Sequence, residues 1–245
     1  MKPAIAPDVM AAPAAAPAVP GWADKRSRLE TYFDRTAFQA WAALTSDAPV
    51  SKIRATVRAG RDEMRNLLLS WLPQDLKGRR ILDAGCGTGL LAVEAARRGA
   101  EVVGIDVSPQ LVAIGQERLP ADVQGKVRLI AGDMLDPALG QFDHIVSMDV
   151  LIHYEADQIA RATASLADRA RESLLFTFAP GTPLLRTARA IGQFFPKSDR
   201  SPSIIPVGHG HLKANLSRVP GVALGRDARV SRGFYTSHAQ EVLRR

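Results

Sequence analysis

A single cysteine, Cys86, stands in 245 residues. A lone thiol closes no intrachain disulfide and builds no multi-cysteine metal site, which fits a reducing compartment. No window approaches the ~18 uncharged apolar residues that a membrane-crossing helix requires. The N-terminus also lacks the basic start, unbroken apolar run and cleavage site of a signal peptide: Lys2 is alone, and Pro7, Pro13 and Pro17 interrupt the apolar residues. The net charge is +7, yet there is no dense Lys/Arg tract and no interleaving of aromatic with basic residues. Dispersed charge of this kind argues against nucleic acid as a partner. It leaves an anionic membrane surface or an acidic small substrate.

What is present is 46% apolar residues, enough for one sizeable core. Residues 1–21 are dominated by Ala and Pro and predict a disordered tail. Residues 22–78 predict a helical segment. Within it, Ser27 to Ser46 puts Leu29, Tyr32, Phe33, Phe38 and Trp41 near one face of a helix, and a second helix runs from about Val50 to Leu72. Pro73 and Gly78 break the chain before the first strand. Helices placed ahead of a ligand site can fold over it as a lid, and the plainer expectation is a packing cap.

From Arg80 the pattern alternates strand and helix. Apolar runs end at Asp83, Asp106, Ala131, Met148 and Phe178, with helical stretches over 90–98, 109–118 and 156–170. Such alternation predicts an α/β fold, a doubly wound, mostly parallel sheet with its ligand site at the strand carboxyl ends. Residues 183–219 interrupt the rhythm with two further helical stretches, the position of a substrate-specific insertion. Val222 to Arg245 reads as two strands joined near Ser231-Arg232-Gly233, an antiparallel pair at one sheet edge. The expected division is thus a tail (1–21), a helical lid (22–78) and a ligand-binding domain (79–245) that carries the insertion.

Four features fall at successive strand ends. The first is the turn Asp83-Ala84-Gly85-Cys86-Gly87-Thr88-Gly89 between a strand and a helix, where backbone comes close to a bound nucleotide. Asp106 ends the second strand, placed to accept both hydroxyls of a ribose. Asp133-Met134 follows the third strand, positioned for an adenine amino group and face. The fourth is Ser147 to Tyr154 at the end of strand four, beside the switch point of the sheet.

Together these residues resemble the class I S-adenosylmethionine-dependent methyltransferases. Dinucleotide enzymes share the acidic residue but use G-x-G-x-x-G, whereas here Asp83 precedes Gly-Cys-Gly-Thr-Gly. The resemblance implies a Rossmann-like, seven-stranded sheet and S-adenosyl-L-methionine as cofactor, with S-adenosyl-L-homocysteine as product. It assigns cofactor contacts to Asp83, Ala84, Gly85, Cys86, Gly87, Asp106, Val107, Asp133, Met134 and Met148. The flanks are similar to a narrower family, the magnesium-protoporphyrin IX O-methyltransferases of (bacterio)chlorophyll biosynthesis. The similarity lies in Tyr32-Phe33-Asp34, Phe38-Gln39-Ala40-Trp41, Ile53-Arg54, Arg58-Ala59-Gly60, Asp149 to Tyr154, Phe178-Ala179-Pro180, Ile191-Gly192 and Phe195-Pro196.

This narrower resemblance implies methylation of one propionate of magnesium-protoporphyrin IX. A propionic acid has a pKa of about 4–5, like Glu, so it is already a nucleophile at neutral pH and needs closure and in-line approach more than a strong base. His153 and Tyr32 are the expected catalytic residues, His153 to bond the carboxylate or take a proton, Tyr32 to reach in from the lid. Arg186, Arg189, Lys197 and Lys213 are candidates for attracting the propionates, with solvated surface charge as the plain alternative. No metal-ligand set is read; His144, His209, His211 and His238 lack a telling placement. Handover from a magnesium chelatase, a cytoplasmic location and loose peripheral membrane contact go with the resemblance. The alternatives are methylation of a quinone-type phenol or other small metabolite, and a porphyrin carrier without catalysis.

Overall fold

A computed structural model describes residues 19–34, 38–46, 49, 51–181 and 203–245. The expectations for the tail up to residue 18, and for the helical stretch at 183–195 with Arg186, Arg189 and Lys197, lie outside the described residues. Seven strands form one sheet: β1 (Arg80–Ala84), β2 (Glu101–Asp106), β3 (Val127–Ala131), β4 (Phe142–Ser147), β5 (Ala170–Phe178), β6 (Val222–Arg232) and β7 (Tyr235–Arg244). Their order is β3-β2-β1-β4-β5-β7-β6. The first five are parallel, and β7 runs antiparallel to both β5 and β6. The order reverses between β1 and β4, which opens a crevice at their carboxyl ends.

Both faces are covered, so the strands alternate between two cores rather than between core and water. Leu82, Ile145, Leu174 and Phe176 share one cluster with Trp22, Tyr154 and Ile159. Their strand neighbours Ile81, Val146 and Leu175 enter the other with Met64, Leu68 and Ala95. Each such fully buried aliphatic side chain contributes roughly 1.5–3 kcal/mol.

The helices are α1 (Trp22–Tyr32), α2 (Phe38–Leu44), α3 (Lys52–Trp71), α4 (Leu90–Arg97), α5 (Pro109–Glu117), α6 (Ala156–Ala167) and α7 (His209–Leu216). Local chemistry sets several starts. Ser108 Oγ accepts from Leu111 N ahead of Pro109, and Glu155 with Gln158 forms a capping box on α6. The predicted single helix over 27–46 is instead two. α1 starts five residues earlier, behind Gly21 in the left-handed region (φ 71°), and it buries Trp22 and Leu29. Just beyond α1, Asp34 is tied to α5: its Oδ1 accepts from Gln110 N at the start of that helix and from Ser108 Oγ. Residues 19–21 are packed against α6 as well. Val19 is buried, and Pro20 O accepts from Gln158 Nε2 at 3.1 Å.

Candidate active site

The glycine-rich turn is pinned to the end of β2. Gly85 N and Cys86 N both donate to Ile105 O (2.7 and 3.0 Å), and Gly87 N donates to Asp106 Oδ2 (2.8 Å). Gly89 N closes the turn on Cys86 O. These amides are committed inside the protein, so the turn is not an anion nest of the phosphate-binding kind. What it offers is close backbone approach. Gly85 sits at φ +86°, and a Cβ there would run into Val150 Cγ2. Gly87 is also left-handed (φ +53°), with open space where a Cβ would be. Gly104 on β2 leaves the room that Cys86 and Leu129 fill.

Three carboxylates face this end of the sheet. Asp83 is 2% exposed, and its Oδ2 accepts from Ala92 N in the first turn of α4. Burial pushes its pKa up to about 7, with the Asp106 charge adding to the rise and Ala92 and Arg65 opposing it. Asp106 accepts from Ser108 N and Gly87 N, one bond on each oxygen, and burial raises its pKa as well. Asp133 accepts from Leu135 N and from the indole Nε1 of Trp22, which lies 3.1 Å from both carboxylate oxygens.

One cavity joins these groups to the N-terminal helices. Its walls include Asp83, Gly85, Cys86, Gly87, Asp106, Val107, Asp133, Met134 and Met148, together with Trp22, Leu29, Phe33, Trp41 and Leu44. Ala84 is fully buried in β1 beneath it and is not part of the wall. Arg26, Arg58, Arg61 and Arg65 add positive charge to the lining. The residues fit a nucleoside-type cofactor: two carboxylates at adjacent strand ends, a glycine-rich turn, and the buried Thr88 hydroxyl on the wall with no partner among the described residues.

His153 ends the 3₁₀ turn Leu151–His153 and lines the same cavity. It is 7% exposed, with Nδ1 3.4 Å from Ser203 O. Burial lowers its pKa, so the ring is neutral at pH 7; the Ser203 carbonyl and Asp149 pull the other way. Its own carbonyl accepts from Lys25 Nζ of α1 at 2.7 Å.

Tyr32 lies elsewhere. It does not line this cavity and sits in a shallow surface depression with Ser27, Arg28 and Thr31. Successive residues on a helix turn by about 100°, and α1 is seated by Trp22 and Leu29, so Phe33 takes the inner position. Lys213 is likewise elsewhere, 2.8 Å from Asp227 Oδ1.

The sequence shows Asp149 only as part of the 149–154 run, with no role of its own, and does not mark Trp22. Asp149 is the one non-glycine residue with positive φ (58°) among the described residues. Its Oδ1 accepts from Tyr235 Oη (2.9 Å), Thr177 Oγ1 and Ser237 Oγ (both 3.4 Å), and Oδ2 lies 3.0 Å from Arg61. Arg61 in turn stacks on Trp41 at 4.4 Å. Asp149 therefore ties α3, β5 and β7 to the end of β4, and it fixes the turn that carries Val150 and His153. Gly60 makes this possible, since a Cβ there would come within 2.6 Å of Tyr235. The available signals were a carboxylate directly after a strand and an aromatic closing the Pro-rich tail. Neither names its partner.

A sheet of this order, with a methyl-donor-type turn at its switch point, defines the class I methyltransferases. A methyltransferase-domain family model matches residues 81–172, and the model for the C-terminus of magnesium-protoporphyrin IX methyltransferase matches residues 147–244. The chain is 52% identical over 221 residues to a magnesium-protoporphyrin O-methyltransferase of Rhodobacter capsulatus, covering 90% of this chain and 97% of that one. The crystal structure of magnesium protoporphyrin IX methyltransferase from Synechocystis with bound S-adenosylhomocysteine superposes with a TM-score of 0.78 at 27% identity, covering 90% of this chain and 100% of that one. A ubiquinone biosynthesis O-methyltransferase of Xanthomonas oryzae is 34% identical over only 142 residues, 57% of each chain. The chain belongs to the magnesium-protoporphyrin O-methyltransferase family.

Proposed function

We propose that this protein transfers the methyl group of S-adenosyl-L-methionine to one propionate carboxylate of magnesium-protoporphyrin IX, forming the monomethyl ester in (bacterio)chlorophyll biosynthesis. The carrying observation is that the donor residues and a basic, aromatic wall line one cavity, in a chain matched almost end to end by a relative of that name. Gly85 to Gly87 would lie along the methionine portion, Asp106 on the ribose, and Asp133 with the Met134 backbone on the adenine edge, flanked by Asp83, Val107 and Met148. When bound, the cofactor supplies an electrophilic methyl on a sulfonium.

The protein's own part is to order the acceptor and exclude water. Phe33, Trp41 and Leu44 offer apolar surface to a macrocycle, and Arg58 offers charge to its propionates. A carboxyl moved into such a pocket tends to hold its proton. Since the Ser203 carbonyl can only accept, the His153 proton sits on Nδ1 and Nε2 is left as a proton acceptor. His153 thus keeps the entering propionate ionised and oriented. The N-terminal helices act as the lid over this reaction, and the segment after β5 as the substrate-side insertion. Asp133 and the His153 carbonyl are the points where α1 is held.

A cytoplasmic enzyme that receives its substrate from a magnesium chelatase and touches a membrane loosely fits this reading. Among the described residues no helix is long and apolar enough to cross a membrane. Ile53 and Phe234 are 55% and 73% exposed. They lie on adjoining segments, since Gly233 packs against Thr56.

A substrate panel tests the reading. Magnesium-protoporphyrin should turn over while quinone-type phenols do not, and the reverse result would move the protein to the phenol class. His153→Phe should leave a residual rate on the porphyrin, because its carboxylate is ionised in water; a phenol substrate would lose all turnover without the base.

A further inference from the structure

A second cluster of ligand-type side chains lies outside the cavity. His209 opens α7, Asp227 lies on β6 and His238 on β7, and none of the three lines the active site. Asp227 Oδ2 is 3.0 Å from His238 Nε2 and 3.6 Å from His209 Nε2, and the three ligand atoms all lie within 4.8 Å of one another. We propose that His209, Asp227 and His238 form a site for a divalent metal ion of the zinc class, with a fourth position open to water.

The geometry is close to what such an ion needs. Bonds of about 2.0–2.1 Å at tetrahedral angles put neighbouring ligand atoms ~3.3 Å apart, and the two measured edges fall on either side of that value. Two imidazoles and one carboxylate suit Zn²⁺, Co²⁺ or Fe²⁺ rather than Ca²⁺ or Mg²⁺, which take oxygen.

Three features go beyond chance proximity. His209 Nε2 is buried and makes no hydrogen bond among the described residues, a cost that a metal bond would remove. Lys213 Nζ, one turn along α7 from His209, holds Asp227 Oδ1 at 2.8 Å and leaves Oδ2 for the cluster, as an outer partner of a ligating carboxylate does. The third is a bulge in β6. Leu224 pairs with Val242 but Asp227 with Gln240, so three steps on β6 match two on β7. The extra residue turns Asp227 onto the face of His238; in unbroken register it would point to the other side of the sheet.

An ion bound here would clip α7, which follows the 182–202 segment, to the hairpin whose Tyr235 and Ser237 hold Asp149. The alternative is a hydrogen-bonded knot in which His238 Nε2–H simply donates to Asp227.

The test uses the untagged full-length chain, stripped with chelator and titrated with Co²⁺. One Co²⁺ per chain is expected, with visible absorption of a tetrahedral site, displacement by Zn²⁺ and a raised Tm. His209→Gln and His238→Gln should each weaken binding by more than the ~10–100-fold typical of losing an outer-shell partner. His211→Gln, at the exposed neighbouring histidine, should bind as wild type. His209→Gln alters a residue at a helix start, so its fold can be checked by the unchanged Tm of the metal-free protein. Absence of Co²⁺ uptake, or equal uptake by His209→Gln, would leave only the knot and overturn the proposal.

Discussion

Replacing Asp83 by Asn removes a charge that the fold holds at considerable cost. The carboxyl is 2% exposed and its pKa is pushed up to about 7, against 3.8 for the free side chain. That rise corresponds to about 4 kcal/mol of net cost on the ionised form, with burial its largest cause. Between pH 3.8 and 7 the unfolded chain has lost this proton while the native protein keeps it, so stability falls as pH rises through that window and levels off above 7. A carboxamide in its place has no such proton to lose. Its oxygen can still accept from Ala92 N, and the spare N–H₂ adds an offset that does not vary with pH. The stability of Asp83→Asn relative to wild type should therefore grow by roughly 2–3 kcal/mol from pH 5 to pH 8. Urea unfolding of both proteins at pH 5, 6.5 and 8 measures it, and the difference cancels the opposite trend of the buried His144 and His153, whose pKa values are lowered by burial. A difference independent of pH would mean that Asp83 is ionised throughout, and the account of the buried turn would fail.

Gly85→Ala places a Cβ against Val150 at φ +86° and should abolish cofactor binding in calorimetry while lowering stability by about 1–3 kcal/mol. Asp106→Ala should weaken cofactor binding about 10- to 100-fold, the worth of one or two charged hydrogen bonds, and frees Gly87 N from its partner. Asp149→Ala should destabilise the protein by about 3–5 kcal/mol, because it strands Arg61 and the buried Tyr235 hydroxyl. Asp149→Asn should recover part of this loss, since it keeps the Tyr235 bond and tolerates the left-handed backbone.

The legible parts of the fold were those written in short-range pattern. Apolar runs ending at Asp83, Asp106 and Ala131 locate three strand ends, and a doubly wound sheet brings such ends together at one edge. The β6–β7 pair was read from the turn at Ser231 to Gly233 and is found at the sheet edge. What stayed hidden depended on contacts distant in sequence. Nothing local marks Asp34 as a partner of Gln110, and the division into α1 and α2 does not show in the apolar spacing. The choice between Tyr32 and Phe33 is one step of helical rotation, decided by where Trp22 and Leu29 seat α1. Asp149 draws its partners from α3, β5 and β7. His209, Asp227 and His238 meet only because of a one-residue bulge, which no periodicity announces.

The central claim is an ester made on a propionate. The direct measurement is incubation of the protein with methyl-labelled S-adenosylmethionine and magnesium-protoporphyrin, followed by mass analysis before and after mild alkali. One label per macrocycle, released by the alkali as from a methyl ester, is the predicted result. A porphyrin left without label, or a label that survives saponification, would contradict it.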